Sequence, residues 1–283
     1  MDGLAPVRGG VLQRLVHDAE QPVHVRVAQL SSGNVLIGAQ ADDPAAAGRA
    51  IERMRRALWL DLDLAPFHKQ FSRDPLIGAS VRSNPTLRPA GRPHAFEAFA
   101  WAVTEQLIEY ERAVAIQRRI VAALGRYDPV SRLRDSPAAA VLGGGGASAA
   151  RLESFDLSAS RAITLIKASR EIAAGRIDVD TLDPVAQEEG WRRLRRIRGI
   201  GTWTVEMMAL TAQGRVDQIP AGDLGFIKFV GRALSGGDPY ARASEDQVRE
   251  FFAPYGAWQG LAGVYALRSS ANVKSAIMQL TGG

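Results

Sequence analysis

Trp191 to Val230 reads WRRLRRIRGI GTWTVEMMAL TAQGRVDQIP AGDLGFIKFV, and the order of its parts decides the fold. Trp191, Leu194 and Ile197 fall three apart, which puts them along one side of a helix while arginines fill the other positions. Gly199-Ile200-Gly201 breaks that helix. A glycine on each side of Ile200 lets the chain turn tightly and leaves no side chain to keep a polyanion away, so hairpin amides can face a phosphate oxygen. Thr202 or Thr204 opens the next helix, whose N-terminal N–H groups and dipole add to the same anion site. Five arginines, 192, 193, 195, 196 and 198, lie within seven residues. Alone they are the solvated face of an amphipathic helix; beside a glycine hairpin they read as phosphate contacts.

L-x-x-I-x-G-I-G-x-W-T, Leu194 to Thr204, is followed by P-A-G-D-L-G, Pro220 to Gly225, with Asp223 standing 22 residues past Gly201. Together these resemble the helix-hairpin-helix plus Gly/Pro-Asp signature of the DNA glycosylase superfamily, and most closely its DNA-3-methyladenine glycosylase II branch. The resemblance implies an α+β protein: a small N-terminal antiparallel α/β domain over residues 1–88, then a mostly α-helical glycosylase domain over 89–283 with its hairpin at 191–213. It makes Asp223 the catalytic carboxylate. Gly199, Ile200, Gly201 and Thr204, with Arg198, are expected to hold the DNA backbone. The carbonyls of Arg195, Ile197 and Gly199 are expected to bind a structural Na+ or K+, with no other cofactor required. Trp203, Trp258 and Met207 are the expected walls of the base pocket. Met207 stands where a known member has an aromatic residue. Members that also cut the backbone carry a lysine where this chain has Trp203, and an indole cannot form a Schiff base. The expected enzyme is therefore a monofunctional hydrolase.

Composition sets bounds. A chain of 283 residues has ample length for a packed core, and a net charge of +5 favours an anionic partner. No cysteine is present, which excludes a cysteine-ligated iron-sulfur cluster, a Cys zinc site and disulfides. His17, His24, His68 and His94 lack metal-ligand spacing, so no catalytic metal is expected. No apolar run reaches the length of a membrane span and the opening MDGLAPVRGG lacks a signal-peptide core. A cytoplasmic monomer acting on duplex DNA with damaged bases is the expectation.

Before the hairpin, Val23, Val25 and Val27 alternate with His24 and Arg26, and Ser31-Ser32-Gly33-Asn34 supplies a turn before Val35-Leu36-Ile37, a β-hairpin with a short opening strand ahead of it. Ile51, Met54 and Leu58 give a helix between about 44 and 60. Prolines 75, 85, 89 and 93 mark a boundary across the surface. Phe96 to Leu124 has apolar spacings for two helices. Between them Thr104-Glu105-Gln106-Leu107-Ile108-Glu109 resembles the family stretch whose residue after the glutamine enters the duplex where the base has left; Leu107 matches that position, or else is a core leucine. Glu105 stands where the family commonly has glycine, and a carboxylate there can serve the pocket.

Gly143 to Gly146 lacks the Lys-Ser/Thr of a P-loop and reads as a flexible insertion. Ser158 is expected to cap a helix with Ala162, Ile163, Ile166 and Ala173 inward, ended by Gly175; Asp183-Pro184 opens the next. Ser244 to Gln247 reads as a capping box. Two other classes stay open: a non-catalytic helix-hairpin-helix DNA-binding module, and a glycosylase for deaminated or oxidised bases.

Overall fold

The computed structural model describes residues 4–19 and 21–269. Strands β1 (Val7–Arg8), β2 (Val11–Asp18), β3 (Gln21–Gln29) and β4 (Val35–Gln40) form one antiparallel sheet in that order. The alternation on β3 is borne out: Val23, Val25 and Val27 are buried, and helix α1 (Pro44–Ala57) lays Ala46, Ala50 and Met54 on that face. Asp43 caps α1 by accepting from the amides of Ala45 and Ala46, with Pro44 in the first turn where its missing N–H costs nothing.

The opening strand is longer than the sequence suggests, because Arg14 breaks its pattern. Arg14 sits opposite Val25 and is 5% exposed. Its guanidinium donates to buried Glu97, which also accepts from Arg92 at 2.9 Å. A buried charge needs such partners, and these join the sheet to the helical part of the chain.

Helices α2 (Ala65–Phe71) and α3 (Gly78–Ser83) precede α4 (Ala95–Glu105) and α5 (Tyr110–Leu124). A two-stranded ribbon, β5 (Tyr127–Asp128) with β6 (Leu133–Arg134), leads to α6 (Ala139–Gly143), α7 (Ala149–Glu153) and α8 (Ala159–Ala173). Then come α9 (Pro184–Leu194), α10 (Thr202–Ala212), α11 (Leu224–Leu234) and α12 (Glu245–Phe252). A 3-10 segment (Ala253–Trp258) runs into α13 (Gln259–Ser269).

One core gathers Phe99, Val103, Ile116, Leu142, Leu165, Leu194, Val205 and Met208, and so centres on α4, α5, α8 and α10. A second unites Phe67, Ile77 and Val81 with Phe226, Val230, Phe252 and Tyr265. Residues 64–81 thus pack with the C-terminal helices, although the change of sequence texture puts a boundary at 88. Phe67 and Tyr265 are fully buried with ring centroids 5.1 Å apart, and the Tyr265 hydroxyl donates to the Asn84 carbonyl at 3.0 Å. Burying each such ring contributes about 1.5–3 kcal/mol.

Two local expectations are corrected. The glycine run is anchored at its ends, although Gly144 to Gly146 are exposed: Leu142 and Ala147 are buried, and a Cβ on Gly143 would stand 2.8 Å from the backbone of Arg170, so glycine there lets α6 lie directly on α8. On α8, Ala162 and Ile166 face inward as expected and Leu165 joins them, but Ile163 is 44% exposed and Ala173, at the end of the helix, is exposed too, because the buried stripe runs through 162, 165 and 166. Gly175 has φ +69 after α8, Asp183 caps α9, and the capping box of Ser244 and Gln247 has both hydrogen bonds.

Candidate active site at the hairpin

The corner begins where α9 stops at Leu194. The Ile197 amide donates to the Leu194 carbonyl and the Ile200 amide to that of Ile197, so the chain turns without leaving those groups unpaired. Ile197 therefore lies in the turn, beyond the helix. Gly199 has φ +94 and Gly201 is extended, capping α10. A Cβ on Gly199 would stand 2.4 Å from Thr164 Oγ1, and that hydroxyl donates at 2.9 Å to the Arg198 carbonyl. Glycine is required here by both backbone and space.

Ile200 points its side chain into the core at 6% exposure, which anchors the tip, while Gly199 and Gly201 are exposed. Thr204, expected against the DNA backbone, is instead 1% exposed, and its hydroxyl accepts from Gln106 Nε2 at 2.8 Å. One turn into α10, it faces α4 rather than solvent. Arg192 and Arg193 pair with Glu189 at 2.8 and 2.9 Å. Arg195, Arg196 and Arg198 are exposed and have no ion-pair partner among the described residues, which leaves three guanidinium groups beside the glycine tip.

Gln106 ties the α4 terminus to the hairpin. Its amide reaches the Gly199 carbonyl at 3.0 Å as well as Thr204. Leu107, the next residue, has φ +55 and is 104% exposed. An apolar side chain so displayed, on strained backbone and next to an anchored amide, is the opposite of a core leucine.

Asp223 lies close to the corner, in the loop that packs on Trp203. It caps α11 and accepts from the Gly225 amide at 2.7 Å. Gly222 before it packs on Trp203, whose Cβ is 3.3 Å from where a Cβ on that glycine would be. Burial pushes the Asp223 carboxyl up, against the pull of the Gly225 and Phe226 amides and the Trp203 indole. The Trp203 N–H is buried and favours the anion electrostatically without a hydrogen bond of normal geometry.

Glu206, the one charged residue on α10, lies beside this loop. It accepts from Arg249 at 2.5 Å, and the Ala221 amide favours its charged form without a hydrogen bond of normal geometry. Sequence reasoning missed it, although a carboxylate inside TWTVEMMALTA was the available signal. Met207 is half-buried one turn beyond Trp203. Trp258 packs on Phe67 with centroids 5.6 Å apart, at the edge of the second core. Of the two expected indole walls, Trp203 is the one whose contacts place it at the carboxylate.

Each of the expected cation carbonyls of Ile197 and Gly199 accepts one hydrogen bond and keeps its second lone pair. The Gly199 oxygen accepts from Gln106, and that of Ile197 from Ile200. Among the described residues no cluster of histidine and acidic side chains is arranged for a metal, and no helix is long and apolar enough to cross a membrane.

No protein-family profile matches the chain. The DNA-3-methyladenine glycosylase of Bacillus subtilis (strain 168) is 25% identical over 226 residues, 74% of this chain and 69% of the relative. Among solved structures, a 3-methyladenine DNA-glycosylase from Archaeoglobus fulgidus superposes with a TM-score of 0.78 at 22% identity, covering 94% of this chain and 89% of that one. The Clostridium acetobutylicum 8-oxoguanine glycosylase/lyase, in complex with double-stranded DNA, gives 0.72 at 16% identity over 95% and 88%. These two likenesses establish a common fold. With the sequence relative and the glycine hairpin near a capping aspartate, they make the chain similar, in fold and in sequence, to helix-hairpin-helix DNA glycosylases of the 3-methyladenine type or a related one.

Proposed function

We propose that this protein is a monofunctional DNA glycosylase that hydrolyses the N-glycosidic bond of alkylated purines, of the 3-methyladenine and 7-methylguanine kind, in duplex DNA. The observation that carries the reading is the joint placement, at one glycine corner, of Asp223 against Trp203 and of exposed Leu107 beside the Gln106 anchor. A base inside a duplex is out of reach of any carboxylate, so it is swung out at a cost of a few kcal/mol. Leu107 fills the space the base leaves, while the tip amides and Arg195, Arg196 and Arg198 hold the strand. The chain works as a monomer on one lesion.

Alkylation at N3 or N7 of a purine leaves positive charge on the base. The Trp203 indole face attracts such a cation by roughly 0.5 to 2 kcal/mol. The same charge weakens the glycosidic bond, and the sugar develops oxocarbenium character as the base departs. Asp223 stabilises that charge and orients the attacking water. Opposite charges about 4 Å apart attract by about 4 kcal/mol at an effective dielectric of about 20, which is about three decades of rate if the attraction grows as the sugar ionises. The amides of Gly225 and Phe226 keep the carboxylate aimed without neutralising it.

Trp203 supports hydrolysis alone, since it offers no amine to attack the sugar. The test is a panel of duplexes carrying 3-methyladenine, 7-methylguanine, hypoxanthine or 8-oxoguanine, assayed for base release and for strand cleavage, with borohydride to trap a covalent intermediate. Preferential release of alkylated purines with intact abasic strands is the expected result. Borohydride trapping, or release confined to 8-oxoguanine, would overturn the reading.

A further inference from the structure

Glu105 is the last residue of α4, immediately before Gln106 and Leu107. Its neighbours are thus the residue that anchors the α4 terminus to the hairpin and the exposed residue beside it. Glu105 is half-buried, and its carboxyl makes no hydrogen bond or ion pair among the described residues. The charged groups that act on it are Arg92, from the segment leading into α4, and Asp223, at the start of α11. Arg92 is engaged with Glu97 at 2.9 Å and stacks 4.3 Å over the Trp101 ring. The site therefore holds two carboxyl groups in different surroundings: one bound by the Gly225 amide beside an indole, the other unpartnered. Burial pushes Glu105 up to about 7, and the Asp223 charge adds to that rise against the pull of Arg92. Paired carboxyls held apart in this way divide into an acid and an anion.

We propose that Glu105 is a general acid that protonates the departing base, extending excision from positively charged alkylated purines to neutral modified purines such as deaminated ones. This rests on the glycosylase reading above. A cationic base leaves as a neutral molecule and needs no proton. A neutral base leaves as an anion unless a proton arrives as the bond breaks. In the step, the C1′–N9 bond breaks and its electron pair passes to the purine, while the Glu105 O–H proton goes to a ring nitrogen. Water oxygen bonds to C1′ and the water proton goes to Asp223. The products are a neutral base, an abasic sugar, ionised Glu105 and protonated Asp223, and the two carboxyls exchange their proton through solvent.

The test is single-turnover excision by the full chain on two duplexes, one with 7-methylguanine and one with hypoxanthine, between about pH 5.5 and 9. The hypoxanthine rate should fall about tenfold per pH unit above about 7, a descent the 7-methylguanine rate does not share. Glu105→Gln should lower the ratio of hypoxanthine to 7-methylguanine rates by at least about tenfold and remove the descent. Parallel pH profiles, an unchanged ratio, or excision of 7-methylguanine without any of hypoxanthine would overturn the role of Glu105 alone. No excision of either base by the wild type would overturn the functional reading as well.

Discussion

Replacing Gly199 with alanine tests the corner on its own terms. At φ +94 an L-residue is strained by about 1–2 kcal/mol. The added Cβ would lie 2.4 Å from Thr164 Oγ1 and 3.3 Å from its Cγ2, so the threonine must turn away. Turning it gives up the hydrogen bond to the Arg198 carbonyl, about 1 kcal/mol more. The expected loss is about 2–3 kcal/mol, or about 4–12 °C in melting temperature for a chain of this size. The Gly199 carbonyl also moves, and with it the Gln106 anchor beside Leu107, so excision should fall further than stability explains. Thermal denaturation of Gly199→Ala, Thr164→Ala and the double variant forms a cycle. The double variant should be more stable than additivity predicts by about 1 kcal/mol, because the clash is gone. A loss below about 0.5 kcal/mol in the single variant, or strict additivity, would refute the reasoning.

Three further outcomes follow from other parts of the molecule. His17 and His94 stack with centroids 3.9 Å apart, and burial first, then Arg126, lowers His17 to about 4; the unfolded chain binds this proton below about 6.5, so stability should fall by about 3 kcal/mol between pH 6.5 and 4, and His17→Phe should flatten that slope in pH-dependent denaturation. Arg195→Gln and Arg198→Gln should each reduce the salt slope of duplex binding by about 1, measured by titration at several ionic strengths, whereas Arg192→Gln, already paired with Glu189, should change it less. Leu107→Ala should reduce single-turnover excision by at least about tenfold while leaving the melting temperature within about 2 °C, because the side chain touches solvent rather than core.

What the sequence discloses is what local rules govern. The glycine corner, the Asp223 cap, the Ser244 box and the β3 alternation each depend on residues within one turn or one strand, and their signals lie within a few positions of each other. Interactions across the chain are harder to see. Arg14 hides the length of β2 because its partner, Glu97, is 83 residues away. Thr204 looks like a surface threonine until Gln106, 98 residues earlier, is found hydrogen-bonded to it. Gly143 looks flexible with the glycines after it because its purpose is the close approach of α8 at Arg170, 27 residues further along the chain, which leaves no trace in its own segment. For the same reason the shared core of residues 64–81 with the C-terminal helices is silent in the sequence, where prolines mark a boundary further on. Leu107 is a mixed case: its position after a glutamine is legible, but its exposure is decided by the φ +55 turn that follows α4.

The measurement that bears most directly on the whole assignment is single-turnover base release by Asp223→Asn from a 7-methylguanine duplex, with binding to the same duplex measured in parallel. Asparagine keeps the size of the side chain and an oxygen for the Gly225 amide but removes the charge. Release slowed by about three decades with duplex affinity within about threefold of wild type is the result expected. Release at the wild-type rate would contradict it, since the chemistry would then lie with some group other than this carboxylate.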